Sequence, residues 1–144
     1  TPGMNWDTHA NQGGVNGQLS NNLRGFANAI SSFVTDLGKR IDDVIILTMS
    51  EFGRTVRQNG TGGTDHGHGN VMFVIGGNVK GGRVYADWRG IKQSELYEGR
   101  DVPVTTDFRD VFAEIAGKHL GVKALDKVFP NYDLNPSKWR GFLC

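Results

Sequence analysis

Two stretches of the chain place apolar residues at the spacing of an amphipathic α-helix. In the first, residues 21–37, the apolar positions follow an i, i+3, i+4, i+7 pattern and are Leu23, Phe26, Ala27, Ile30, Phe33, Val34 and Leu37. Ser20 or Asn21 can cap its start, and Gly38 can end it. The second helix is predicted after Thr106, which can cap it, and its apolar positions are Phe108, Val111, Phe112, Ile115 and Ala116. It should end near Gly117 or Gly121.

Two short runs of continuous apolar residues predict strands that are buried on both faces. They are residues 44–48 and 71–75, and the second is closed by Gly76 and Gly77. Strands of this kind belong to parallel sheets covered by helices. Residues 84–85 are a weaker strand candidate, whereas residues 1–18, 53–70 and 122–144 should have little regular structure. The pattern predicts an α/β fold with a mostly parallel sheet flanked by helices.

Composition limits the classes of protein to consider. The 144 residues suit one domain, and the 21 glycines are roughly twice the average share, which favours long shaped loops. A net charge of +1 does not indicate binding to nucleic acid or to an anionic membrane, and no stretch is apolar enough to span a bilayer. The single cysteine, Cys144, excludes an internal disulfide and a cysteine zinc site. Because the chain opens at Thr1 without a methionine, we expect it to be a piece of a longer protein.

Polar residues that can bind a divalent cation occur at three places in the chain. Asp7 and His9 precede the first helix, Glu51 follows the first predicted strand, and Asp65 and His66 lie in the glycine-rich loop. In α/β sheets, functional groups lie beyond the carboxyl ends of the strands. If the three segments meet at that edge, their carboxylates and imidazoles form a metal site.

Each segment also has a structural interpretation. Residues 65–68 could be a solvated polar loop, and whether His68 is a ligand stays open. The Asp7-Thr8-His9 triplet could be a turn or cap. Glu51 could be hydrated or paired with Arg54 or Arg57. Arg54 could instead bind an anionic substrate oxygen, since a guanidinium matches phosphate or sulfate in a bidentate way.

Taken together, the segments resemble the C-terminal part of a bacterial family of unknown function, the one numbered 1501. The most specific of them is Ser-Glu-Phe-Gly-Arg-Thr at residues 50–55; the others are residues 6–9, 63–66, 71–82 and 105–120. The resemblance covers nearly the whole chain. It implies membership of the alkaline phosphatase and sulfatase superfamily, and a chain 1–144 that forms one domain, the C-terminal part of a larger one.

The resemblance implies a divalent metal, zinc first, with manganese or calcium as alternatives. Its ligands would be Asp7, His9, Glu51, Asp65 and His66, while Arg54 would stabilise charge on the transferred group. Phe52 stands where the superfamily commonly has a ligating histidine, which departs from a standard two-zinc site. The nucleophile would lie upstream of Thr1, so that this chain alone should be inactive.

The resemblance therefore favours metal-dependent hydrolysis or transfer at a phosphate or sulfate ester, carried by a small molecule or a glycan. The alternative is a non-catalytic protein of the cell envelope that keeps the fold for binding or assembly. Export to the periplasm is implied by the family alone. The oligomeric state stays open.

Overall fold

A computed structural model describes residues 5–144 and shows mixed α and β structure. The helices are α1 (Gln18–Leu37), α2 (Phe108–Lys118) and α3 (Leu125–Val128). The strands are β1 (Ile45–Leu47), β2 (Gly53–Arg54), β3 (His66–Gly67) and β4 (Val74–Gly76). Short 3₁₀ turns occur at Gly38–Asp43, Gln93–Glu95 and Pro136–Lys138. Residues 1–4 of the predicted first loop lie outside the described residues.

Both predicted helices are present, but their N-terminal caps differ from the prediction. Gly17 is the cap residue of α1, and Gly38 ends it with a φ of 53°, a conformation that glycine adopts without steric cost. The cap of α2 is Asp107, whose carboxylate accepts from the backbone N–H of Arg109. Thr106 does not serve as the cap; its hydroxyl accepts a hydrogen bond from Arg140.

The prediction of a mostly parallel sheet is wrong for the described residues, whose strands form two antiparallel pairs. In one pair β1 lies against β4, with Ile46 opposite Ile75; in the other β2 lies against β3. A parallel pair needs a crossover connection, usually a helix, and no helix lies between residues 47 and 74. The strands β1 and β4 are only half-buried, and residues 84–85 are not a strand.

The core lies where α2 and the C-terminal residues pack against the β1–β4 pair. Val111 from α2, Phe142 and Leu143 are its buried members. Partly buried side chains surround them, among them Ile45, Leu47, Met72, Val74, Val79 and Tyr85. The last residues therefore do more than wrap the surface, since the backbone of Lys80 donates to the carbonyl of Phe142 at 2.8 Å.

Glu114 fastens this C-terminal segment to α2. Its side chain is fully buried, and its two carboxylate oxygens accept hydrogen bonds from the backbone N–H groups of Gly141 and Leu143. Lys118, one turn later on the helix, supplies the opposite charge at 3.2 Å. A buried carboxylate needs such partners, so this contact fixes the position of the tail.

Helix α1 is much less covered than α2. None of its residues is buried, and Leu23 and Phe33 on its apolar side keep 47% and 49% of their surface exposed. Among residues 5–144, no helix combines the length and the apolar character that a bilayer crossing requires.

Candidate metal centre

The segment around Thr8 and His9 runs antiparallel beside the glycine-rich loop. Ala10 bridges Gly62, and the backbone N–H of Thr64 donates to the carbonyl of Thr8 at 3.2 Å. Gly63 makes this approach possible, because a Cβ on it would lie only 2.2 Å from the backbone of His9. The contact brings Asp7 and His9 next to a loop that is more than fifty residues away in sequence.

The small β2–β3 pair adds the other side of the site. Arg54 in β2 lies directly opposite His66 in β3, and residues that face each other in this way project from the same side of the pair. The backbone N–H of Thr55 donates to the carbonyl of Asp65 at 3.0 Å and extends the pairing. Arg54 and His66 therefore both reach Asp7.

Three potential metal ligands converge at this point. The Nε2 atom of His66 lies 2.9 Å from Oδ1 of Asp7, and Nε2 of His9 lies 3.0 Å from the same oxygen. All three ligand atoms are within 4.8 Å of one another. Their side chains are about half exposed, so that a small ligand could reach the centre from solvent.

The two ring nitrogens of His9 face two different carboxylates. Its Nδ1 lies 3.2 Å from Oδ1 of Asp65, and an ionised carboxylate can only accept, so Nδ1 carries the proton. In the neutral ring Nε2 then presents a lone pair toward Asp7, which also has only lone pairs to offer. A cation between these atoms, or a second proton on His9, resolves the repulsion.

Both carboxylates are held in the ionised form. The hydrogen bond from Arg54 lowers the pKa of Asp7 below its usual value, and the contacts with His66 and His9 act in the same direction. The pKa of Asp65 is lowered chiefly by the hydrogen bond from the side chain of Asn59, at 2.9 Å, and then by His9. An ionised carboxylate is the form that binds metal.

Arg54 is fixed from two sides. Its Nη1 donates to Asp7, and its Nε donates to the hydroxyl of Thr64 at 3.0 Å. Thr64 in turn donates to the side-chain oxygen of Gln12 at 2.7 Å. The remaining Nη2 is buried and has no hydrogen-bond partner among residues 5–144, so one donor of the guanidinium is unused.

The structure distributes the predicted site residues among three positions. Asp7, His9 and His66 form the cluster, and Arg54 and Asp65 each contact one of its members. Glu51 is exposed and outside the cluster, and within the described part of the chain it forms no ion pair with Arg54 or Arg57. Its role as a ligand stays a prediction.

Two residues that support the cluster, Phe52 and Asn59, were not predicted from the sequence to do so. The ring of Phe52 stacks on His66, with centroids 3.9 Å apart and planes 14° from parallel. Asn59 donates to both Asp65 and the carbonyl of His9. An asparagine among glycines does favour a loop-organising role, which is the one signal that could have indicated it. His68 stacks on Tyr97 instead of joining the cluster.

Comparison with known proteins identifies a family. No curated protein and no solved structure matches the chain. The model of the family described as "Protein of unknown function (DUF1501)" matches residues 2–129. The residues of the cluster, Asp7, His9 and His66, and their neighbours Arg54 and Asp65 all lie within the matched range. The chain therefore belongs to the DUF1501 family.

Proposed function

We propose that this protein binds one divalent metal ion through Asp7, His9 and His66 and uses it in the hydrolysis or transfer of a phosphate or sulfate ester. The observation that carries the proposal is the convergence of two imidazole nitrogens and one carboxylate oxygen within 4.8 Å. Two histidines and one carboxylate, with positions left for water and substrate, form a recurrent catalytic metal site.

The two imidazole ligands favour zinc over calcium, and manganese stays a second candidate. Imidazole nitrogen suits zinc, whereas calcium prefers six to eight oxygen ligands. In this arrangement Asp65 acts through His9. Its Oδ1 lies 3.2 Å from Nδ1 of His9, which keeps the proton on Nδ1 and turns Nε2 toward the ion. Phe52 stacks on His66 and holds the second imidazole in place.

A metal bound there would polarise an ester oxygen and lower the pKa of an attacking hydroxyl. The side chain suited to the transferred group is Arg54, because its guanidinium places a fixed positive charge beside the cluster, where Nη1 donates to Asp7. The relation to alkaline phosphatases and sulfatases, and an exported location, are part of this proposal. They rest on the resemblance of residues 6–9, 50–55 and 63–66.

Metal content tests the first half of the proposal. After loading with Zn²⁺ and dialysis, the protein should retain about one ion per chain, measured by inductively coupled plasma mass spectrometry. His66→Ala should lose the ion. His68→Ala is the matched control, since His68 is exposed, lies in the same loop and stacks on Tyr97 outside the cluster. Equal retention by the two variants would overturn the proposed site.

Activity tests the second half. The full product of the gene, loaded with zinc or manganese, should hydrolyse p-nitrophenyl phosphate or p-nitrocatechol sulfate, and Arg54→Lys should slow turnover without removing the metal. A metal-loaded protein that is inactive on both esters would keep the metal site and refute the hydrolase assignment. A protein that binds no metal would favour the non-catalytic alternative of binding or assembly at the cell envelope.

A further inference from the structure

A large groove, open to solvent, lies apart from the three residues of the metal cluster. Its volume is about 1180 Å³, and it is lined by residues 80–90 together with residues 49–52, 70–74 and 102–108. No helix or strand lies between Gly76 and Gln93, so residues 80–90 belong to a long irregular segment. Ordered segments of this length without regular structure usually have a binding role.

The lining of this groove gathers much of the exposed apolar surface. Among residues 5–144, seven of the fifteen large apolar side chains that stay exposed lie here, so they form a patch rather than scattered single residues. With between 49% and 90% of their surface exposed, they include Met49, Val71, Phe73, Val84, Trp88 and Phe108. Four of the seven are not aromatic, so the lining suits a flexible hydrocarbon chain better than a stack of flat rings.

The charged side chains of the same lining favour an anion. Three exposed cations form no ion pair within the described part of the chain, and they are Lys80, Arg83 and Arg89. Two of the three acids of the lining are already neutralised, since Asp87 is paired with Arg140 at 2.8 Å and Asp107 with an arginine of α2. Only Glu51 opposes the three free cations, so the groove has an excess of positive charge.

We propose that this groove binds a free long-chain fatty acid. The hydrocarbon chain covers the exposed apolar side chains, and the carboxylate lies among Lys80, Arg83 and Arg89. The volume exceeds that of most small-molecule pockets, which leaves room for a long chain. A sugar or polyol would leave the apolar lining uncovered, and an amphiphile with a cationic head would be repelled. An intact bilayer is too wide to enter a groove. The proposal is independent of the metal centre and of the ester chemistry.

Binding of cis-parinaric acid, a fluorescent fatty acid, to the full product of the gene tests the proposal. At low ionic strength and below the micelle concentration of the probe, its emission should rise in a saturable way. Laurate should displace the probe. Dodecylamine has the same chain length and the opposite charge, and it should not. Equal displacement by the two compounds would overturn the proposal, because the cations would then have no part in recognition.

Two variants with matched controls locate the site. Val84→Glu removes apolar surface from the groove and adds a negative charge, and it should lower the affinity for the probe about tenfold. Val84 is 90% exposed, so the fold should be retained; the control is Val15→Glu, since Val15 is 86% exposed and lies outside the groove. Arg83→Ala should lower the affinity about threefold. Its control is Arg24→Ala, at an exposed arginine of α1 outside the groove.

Three results would refute the proposal. The first is the absence of a saturable rise in emission, as expected where another part of the full protein already fills the groove. The second is equal affinity of Val84→Glu and Val15→Glu for the probe. The third is binding of the protein to vesicles of anionic phospholipid without displacement of the probe by laurate, which would assign the apolar and cationic side chains to a membrane surface.

Discussion

Replacing Asp65 with asparagine tests how the metal centre is held together. Oδ1 of Asp65 lies 3.2 Å from Nδ1 of His9 and accepts from Asn59 at 2.9 Å. Asparagine has nearly the same shape, but it is uncharged and can also turn a donor toward His9. The imidazole of His9 then loses the partner that keeps the proton on Nδ1 and leaves Nε2 free for the metal. We expect Asp65→Asn to weaken metal binding while the fold is retained.

The size of the effect follows from the geometry. Loss of a partner behind a metal-binding histidine usually costs 10- to 100-fold in metal affinity. The His9–Asp65 contact is long, and the two side chains are 47% and 58% exposed, so water can partly replace the carboxylate. We therefore expect a loss of about tenfold, which corresponds to about 1.4 kcal/mol.

Competition with a chromophoric zinc chelator measures this affinity. Asp126→Asn is the control, since Asp126 is an exposed aspartate on α3 and is not a member of the cluster. His66→Ala sets the scale for the loss of a direct ligand. If Asp65→Asn binds zinc as tightly as the wild type, Asp65 does not orient His9. If it loses as much affinity as His66→Ala, Asp65 binds the metal directly, as the resemblance implied.

Three further predictions test the surroundings of the site and the packing of the tail. Gly63→Ala should displace His9 and reduce zinc binding, because a Cβ there would lie 2.2 Å from the backbone of His9. Gly60→Ala is the control, since a Cβ there meets nothing within 4 Å. Equal zinc binding by the two variants would refute the idea that the close approach at Gly63 positions His9. Glu114→Gln should lower the free energy of unfolding in urea by about 2 kcal/mol, because an amide nitrogen would face the tail's N–H groups; an unchanged value would contradict this. Burial raises the pKa of Tyr132 to about 12, and the neighbouring Asp110 acts in the same direction. The folded state favours the neutral phenol of Tyr132 over the phenolate. Tyr132 should therefore make its full contribution to the free energy of unfolding below pH 10.0 and lose it as the pH rises to about 12. Absorbance titration of wild type and Tyr132→Phe measures this pKa, and ionisation near pH 10.0 would refute the prediction.

The helices could be predicted because the information that specifies them is local. The spacing of Leu23, Phe26 and Ile30, followed by Gly38, was enough for α1, and the same argument gave α2. The exact start of α2 depended on side chains that compete for partners. Thr106 was as good a cap as Asp107 by residue type, but Arg140 occupies its hydroxyl from 34 positions away. No local pattern contains that contact.

The sheet was mispredicted because an apolar run does not specify a partner or a direction. Residues 44–48 are as apolar as a strand of a parallel sheet. Their partner, β4, nevertheless runs antiparallel and pairs over only three residues. The strands β2 and β3 have two residues each and lack apolar periodicity, yet they set Arg54 opposite His66. Pairs this short depend on close backbone approach, as at Gly67, where a Cβ would lie 2.4 Å from Arg54.

The division of roles between Asp65 and His66 follows from strand geometry. Consecutive residues of an extended backbone point to opposite sides, so these two could not easily bind the same ion. They can instead enclose a third side chain. His66 reaches Asp7, Asp65 reaches Nδ1 of His9, and the imidazole of His9 spans the gap because its two nitrogens lie on opposite edges of the ring. The resemblance implied that Asp65 and His66 are both ligands, whereas the structure places His66 in the cluster and Asp65 against the imidazole of His9.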